Sequence, residues 1–396
     1  MRLVKRISIK VNKDCINYLD FSSEQCRILY NYIIAEKSDY FFKTGNSIPV
    51  FELKKELPEL KKKFPKMSLV YNKCLSKMYF RAKNAYYAFY NGDAKKPKYK
   101  RNNKFISQEY PKYTIKIIDE HRFILPTGKN YEKNFIVRTE EIIPSNFTSL
   151  SIQKNHIGYF VCFITEVEEK PKSDNKDILA IDLGYKTLVS GITNKSEIVI
   201  VDKFSHYTKH LDTIKSKRDS KNKDSNKWRY YNEIYWRELN KYQNRVKDYM
   251  HKSSHYITSI RSEGTIIVGD LYLKNMIKDN APWVNRMFQN EWRVGQFVEM
   301  LEYKCNLNGK TLIKIDERNT TKTCSNCGKL HDMSLNDRVY KCECGLVLDR
   351  DINSSINILK KYKRMANARG ANGLPVGVPN PIEMMGNLNI TKFCYV

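Results

Sequence analysis

No apolar run in these 396 residues approaches the length of about 20 that spans a bilayer. The opening Met1-Arg2-Leu3-Val4-Lys5-Arg6 starts a short alternating segment in place of a signal-peptide core. An intracellular protein without a membrane partner is expected, in the nucleus if the host is eukaryotic or viral and in the cytoplasm if it is prokaryotic. A disulfide framework is also missing: of ten cysteines six are scattered and four are clustered at metal-ligand spacing, which suits a reducing compartment. Acidic residues are scarce, 43 against 70 basic ones, and the net charge of +27 calls for a polyanionic partner because neutralised phosphates release counterions. An A+T-rich genome would also raise Lys, Asn, Ile and Tyr, but codon drift does not organise motifs. With 41% hydrophobic residues the chain can build two or three cored domains.

Leu3, Ile7, Ile9 and Val11 alternate with polar neighbours as a half-buried strand does. Ser22-Ser23-Glu24-Gln25 resembles a capping box and predicts a helix start, with Cys26, Leu29, Tyr30 and Ile33 following at helical spacing. A second helix is predicted from Ser68, its stripe running from Tyr71 to Phe89 and ending at Gly92-Asp93. Phe135 to Val137, Leu150 to Ile152 and Tyr159 to Ile164 read as strands, so the helices form an insert within a β-rich module. The charged stretch Glu168 to Asp174 marks a linker.

Beyond it, Ile178 to Ile181, Val189 to Thr193 and Ile198 to Val201 predict a three-strand meander. A long helix follows with Tyr235, Leu239, Tyr242, Val246 and Tyr249 on one face; the preceding Lys215 to Arg218 is either solvated charge or a phosphate rail. Thr265 to Val268 and Thr311 to Ile315 flank a helix carrying Val294, Phe297, Val298 and Leu301, the pattern of a βαβ unit with parallel strands. After Leu359 the periodicity fades into Gly370-Ala371-Asn372-Gly373-Leu374-Pro375, and residues 363–396 read as a disordered tail.

Cys324-Ser325-Asn326-Cys327 is a metal-binding knuckle, and Cys342-Glu343-Cys344 completes four thiolates for one structural Zn²⁺. The second pair is one residue short of Cys-x-x-Cys, so either the turn tightens around Glu343 or His331 replaces a thiolate. Asp182 closes the first strand of the second half, and Asp351 opens a helix with the stripe Ile352, Ile356 and Leu359. Each alone would be a turn or cap residue. Together with the knuckle they look like a ribonuclease H type site, where carboxylates hold two Mg²⁺ ions that activate water and stabilise the leaving oxygen.

Such a site wants a third carboxylate. At Ile181-Asp182-Leu183-Gly184, Gly269-Asp270-Leu271, Thr320 to Gly328 and Asp349 to Ile358, the chain resembles the TnpB and Fanzor proteins, transposon-associated RNA-guided nucleases related to type V CRISPR effectors. The resemblance covers most of the chain and rests on the order of these segments. It implies an α+β multidomain fold: an N-terminal β-barrel (residues 1–20 and 92–168) with an inserted helical recognition domain (21–91), and a C-terminal RNase H/RuvC-like α/β nuclease domain (175–319 and 346–362) with an inserted zinc ribbon (320–345).

In TnpB the position of Gly269 is ordinarily the catalytic Glu. Fanzors and their closest TnpB relatives are similar in lacking it there, and carry a Glu before the lead into the zinc knuckle, a place that Glu317 occupies here. Geometry makes the relocation reasonable. Gly269 and Glu317 each follow the last apolar residues of their strands, and neighbouring parallel strands lie about 5 Å apart, a gap that a glutamate spans. The resemblance implies an RNA-guided DNA endonuclease using Asp182, Glu317 and Asp351. Its partners would be the guide (omega) RNA of its own element, held with the help of Lys95 to Arg101, and double-stranded target DNA, bound by a monomer. That same basic run also fits a nuclear localisation signal. The alternative is a nuclease-dead RNA-guided repressor, which Gly269 would favour, and a transposase or resolvase that joins as well as cuts is a third reading.

Overall fold

The computed structural model describes every residue except 103, 185, 205–208, 271–292, 335–336, 369–378, 387–388 and 395–396. Leu271 and the tail segment Gly370 to Pro375 lie outside the described residues. The chain divides into two compact units, Met1–Val167 and Glu168–Val396.

In the first unit, β1 (Arg2–Lys10) leads into the helices α1 (Lys13–Thr44), α2 (Val50–Lys55), α3 (Leu57–Lys63) and α4 (Asn72–Tyr90). Six further strands follow: β2 (Gln108–Pro111), β3 (Lys116–Asp119), β4 (Arg122–Leu125), β5 (Phe135–Thr139), β6 (Phe147–Lys154) and β7 (Tyr159–Glu166). The sheet order is β2-β6-β7-β1-β5-β4-β3, antiparallel throughout. β1 is the corner: Arg2 to Ser8 pair with β7 and Ile9 and Lys10 pair with β5. Among the described residues the expected barrel is not closed: β2 pairs only with β6 and β3 only with β4, and the two end strands do not pair with each other. α1 and α4 share one apolar core with the strands, through residues such as Leu19, Leu29, Leu75 and Met78.

The first helix begins earlier than the capping-box signal suggested. Asn12 caps α1 by accepting a hydrogen bond from Cys15 N at 2.8 Å, and Ser22, Ser23 and Gln25 are buried within the helix. Tertiary packing has taken the capping residues: Ser23 Oγ accepts the Ile106 N–H at 2.6 Å, a partner 83 residues away. The first helix thus opens at Lys13, ahead of the expected start at residue 21.

The second unit contains β8 (Ile178–Asp182), β9 (Thr187–Thr193), β10 (Ile198–Asp202), α5 (Lys209–Asp219), α6 (Asn226–His255), β11 (Thr265–Gly269), α7 (Val294–Leu307) and β12 (Thr311–Ile315). The small hairpin β13 (Val339–Lys341) and β14 (Val347–Asp349) comes next, then α8 (Arg350–Ala368), α9 (Pro381–Gly386) and β15 (Ile390–Phe393). The sheet order is β12-β11-β8-β9-β10-β15. β8, β9 and β10 form the expected antiparallel meander, and β8, β11 and β12 run parallel.

Alternation along the strands separates two faces. Leu179, Ile181, Ile266 and Val268 pack against Val246 of α6 and Phe297 and Leu301 of α7. Ile178, Ala180, Ile267 and Ile315 pack against Ile352, Ile356 and Leu359 of α8 and against Tyr340 and Leu346 of the hairpin segment.

The charged stretch begins at the division between the units, as expected of a linker, and it is docked on the second: Lys170 N donates to Leu307 O at 3.2 Å and Ser173 N to Gly309 O at 2.8 Å. One expectation is corrected in this unit. The C-terminal region is ordered where it is described. Ile390 to Phe393 pair in parallel with Ile198 to Val201, Thr391 Oγ1 donates to Glu197, and Phe393 stacks on Tyr256 at 4.9 Å. Four residues are enough to cover a sheet edge, and so short a strand gives too little alternation to stand out in sequence periodicity.

Candidate carboxylate site and zinc knuckle

β8, β11 and β12 are parallel, so their C-terminal ends open on one edge of the sheet, where loops project side chains into a common space. Parity puts position 182 on the face of Ile178 and Ala180, which α8 covers, and positions 269 and 317 on the face of Ile267 and Ile315. Asp182, the last residue of β8, is 7% exposed. Asp351 stands in the first turn of α8, below an Asp349 cap whose Oδ1 accepts the Asp351 N–H at 2.8 Å and the Ile352 N–H at 3.2 Å.

Glu317 follows β12 by two residues and enters the gap left at Gly269. Gly269 is in register with Ile315, and Asp270 N donates to Ile315 O at 2.7 Å. A Cβ built at 269 would lie 2.3 Å from Glu317 Oε2 and 3.0 Å from Glu317 Cβ. The glutamate therefore fills the volume that a side chain at 269 would need. Gly184 clears space in the same way, since a Cβ there would sit 2.8 Å from Thr187 O and 3.5 Å from Asp351 Oδ2.

Asp182 senses both of the other carboxylates. Burial, then the charges of Asp351 and Glu317, push the Asp182 carboxyl up to about 8, with the Ser354 hydroxyl acting in the opposite sense. Burial and the neighbouring Asp270 and Asp316 raise Glu317 to about 7. Asp351 is raised by burial and by Asp349, against Arg338, Arg350 and Lys186. A buried cluster of like charge is the environment that a divalent cation stabilises, and oxygen-only donors suit Mg²⁺. Among the described residues, however, the only group whose donor atoms all lie within 4.8 Å of one another is the cysteine cluster, so the carboxylates stand wider apart than that.

The cluster is Cys324, Cys327, Cys342 and Cys344. Its Sγ–Sγ distances of 3.7 Å (Cys324–Cys344) and 3.5 Å (Cys327–Cys342) approach the roughly 3.8 Å edge of a tetrahedron with 2.3 Å Zn–S bonds, so the four thiols fit Zn²⁺. The short second pair is accommodated by a turn in which Gly345 takes φ +90° and Cys342 N donates to Leu346 O at 2.9 Å. His331 is an outer partner, its Nε2 at 3.2 Å from Cys342 Sγ. Asn326 Nδ2 donates to Cys344 Sγ at 3.4 Å and holds that thiol down at about 6.

Sequence reading missed the residues that join the two sites. Asn353 accepts from Ser325 N at 2.9 Å and donates to Thr323 O at 2.9 Å, and Asn357 donates to Thr320 O and Thr323 O at 2.9 and 2.7 Å. Both are buried polar residues in a helix already explained by its apolar stripe, so only their spacing of four was visible. Arg338, from the hairpin segment, sits 3.8 Å from Asp351 Oδ2.

Comparison with known proteins agrees with this organisation. Residues 162–280 match the family model OrfB_IS605, described as a probable transposase, and residues 295–358 match the Cas12f1-like TNB domain. Over these two segments the second half of the chain is similar to the TnpB/IS605 transposases. A Streptomyces pristinaespiralis protein named "Putative RNA-guided DNA endonuclease" is 25% identical over 84% of this chain and 82% of its own length. A TnpB-like protein of Acanthamoeba polyphaga mimivirus is 30% identical over 42% of this chain, and the match spans 31% of that longer protein. A TnpB-like protein of Methanocaldococcus jannaschii is 26% identical over 64% of this chain and 93% of its own. In fold, the chain is similar to the protein of a Cas12f1–sgRNA–target DNA complex, with a TM-score of 0.55 at 14% identity over 88% of this chain and 83% of that one. Among the described residues no helix is long and apolar enough to cross a membrane.

Proposed function

We propose that this chain is an RNA-guided DNA endonuclease with one RuvC-like site, in which a guide RNA from its own element pairs with the target strand and Asp182, Glu317 and Asp351 hold the catalytic Mg²⁺ ions. The observation that carries the reading is the position of Glu317 Oε2 in the room a side chain at Gly269 would occupy, on the same sheet edge as Asp182. The similarity to the Streptomyces protein named as an RNA-guided DNA endonuclease supports the guided activity, and the Fanzor-like relocation of the glutamate is part of the same proposal.

Asp182 and Asp351 are contributed by rigid elements, so their spacing is set before any cation arrives. Their burial keeps water from screening them and leaves them short of compensating charge, which favours a doubly charged ion over a monovalent one. When bound, Mg²⁺ supplies a lowered pKa for water and neutralises charge on the scissile phosphate. Arg338, beside Asp351 and more than a third exposed, is placed to meet a phosphate oxygen. The zinc knuckle is structural, since four protein thiolates leave no open coordination position.

Gly269, the residue that would favour a nuclease-dead binder, is not a vacancy in this structure, because Glu317 fills it. The test is cleavage of a matched DNA duplex in Mg²⁺ by the protein co-expressed with its element's RNA, comparing wild type with Glu317→Ala. Scission by the wild type, reduced at least a hundredfold in the variant, is the expected result. Full activity in Glu317→Ala would overturn the ligand assignment. Intact DNA with tight guide-dependent binding by both proteins would make this a binder.

A further inference from the structure

Glu317 lies beyond the end of β12, on a segment with no secondary structure of its own until the knuckle begins. Its carboxylate must nevertheless stop beside side chains carried by β8 and α8. The restraint comes from α8. Lys361 Nζ donates to Asp316 O at 3.1 Å and to Arg318 O at 2.7 Å, the carbonyls immediately before and after Glu317. The carbonyl of Glu317 itself accepts from Thr320 N at 3.0 Å and Thr320 Oγ1 at 2.8 Å. Thr320 is tied to the same helix, through Ser354 Oγ at 3.0 Å and Asn357 Nδ2 at 2.9 Å.

Residues 354, 357 and 361 are three and four apart and so form one stripe of the helix. Three consecutive carbonyls, 316 to 318, thus end on donors that α8 carries directly or through Thr320. The same helix bears Asp351, ten residues before Lys361. A lysine suits this place because its ammonium offers three donors, enough for two carbonyls at once, and its charge lies next to an acidic segment.

We propose that Lys361 is a positioning residue for the relocated glutamate, tying the backbone on both sides of Glu317 to the helix that presents Asp351, so that the two carboxylates keep one spacing for a divalent cation. This rests on the reading of Glu317 as a metal ligand. Removing an outer partner of a metal ligand costs about 10- to 100-fold in metal affinity or activity, whereas loss of a surface tie alone would not change metal binding.

The experiment is Mn²⁺ titration of the full-length, RNA-free protein, followed by the free-Mn²⁺ electron paramagnetic resonance signal, for wild type, Lys361→Met, Lys361→Gln, Lys361→Arg, Glu317→Gln and the double variant Glu317→Gln/Lys361→Met. Zinc content and thermal midpoint identify the folded variants. Lys361→Met and Lys361→Gln should weaken Mn²⁺ binding about tenfold or more, and Lys361→Arg should recover most of it. The double variant should bind no more weakly than Glu317→Gln alone, because both changes remove one interaction. Wild-type affinity in folded Lys361→Met or Lys361→Gln, or a Lys361 effect undiminished in the Glu317→Gln background, overturns the positioning role while leaving Glu317 as a ligand. Wild-type affinity in Glu317→Gln removes the ligand reading and the proposal with it.

Discussion

At Gly269 the absence of a side chain leaves the room that Glu317 fills. A methyl group there would come 2.3 Å from Glu317 Oε2 and 3.0 Å from its Cβ, so the glutamate must swing away while the backbone stays in the β region open to any residue. Gly269→Ala should therefore lower Mg²⁺-dependent cleavage by about tenfold or more while changing stability by less than about 1 kcal/mol, as measured by cleavage rate and chemical denaturation. Asp182 yields a pH prediction. Its carboxyl is raised from 3.8 to about 8, so the folded protein binds this proton more tightly than the unfolded chain does. In metal-free protein its contribution is fully present below about pH 4 and is lost as pH rises toward about 8. Asp182→Asn removes that loss. Denaturation at pH 8 without divalent ions should show the variant more stable than wild type, by on the order of 2 kcal/mol, and the difference should shrink at pH 4.

Elements set the relation between the carboxylate cluster and the cysteine cluster. α8 was expected from Ile352, Ile356 and Leu359 as an apolar stripe with an acidic start, and that stripe does face the sheet. Its other buried face is polar, and there Asn353 reaches the knuckle backbone at both Ser325 and Thr323. Asn353→Ala would leave the buried Ser325 N–H without its partner, while Thr323 O keeps the Asn357 donor, a cost of about 1–3 kcal/mol. The expected outcome is a lower thermal midpoint together with faster zinc release to a chelator. No periodicity argument could find this residue, because a buried asparagine and an exposed one look alike until a partner 28 or 30 residues away is placed beside it. β15 was missed for a related reason. Its pairing with β10 ties the C-terminal region to the sheet, and deletion of residues 379–396 should expose the Ile198 to Val201 edge and promote self-association, visible by light scattering.

For the whole molecule, the charge of +27 is carried by both units, and no single basic run accounts for it. Nucleic-acid binding by such a protein is driven by counterion release, so guide-RNA affinity should fall by several orders of magnitude between about 50 and 200 mM salt if six to ten phosphates are contacted. A filter-binding series over that range measures the slope. The division at Val167 follows from separate apolar cores, one built from β1 to β7 with the helices between, and two on the opposite faces of the sheet that contains β8 to β12. Alternating Leu3, Ile7 and Ile9 announced the first strand, yet the short strands β2, β3 and β4 escaped notice because four residues give too little alternation to stand out from loops.

The sequence by itself determined the parts whose signal is local: the meander and the βαβ unit from periodicity, the four cysteines from their spacing, and Asp182 and Asp351 from their places at an apolar strand end and a helix start. The tertiary structure decided everything that depends on residues far apart in the chain. It brought Glu317 into the space beside Gly269, tied Lys361 to the peptide groups around that glutamate, buried Asn353 under the knuckle and drew β15 onto β10. The physical reason is that periodicity reports which face of an element is buried, whereas a carboxylate site and a polar tie depend on distances between elements, which only packing sets.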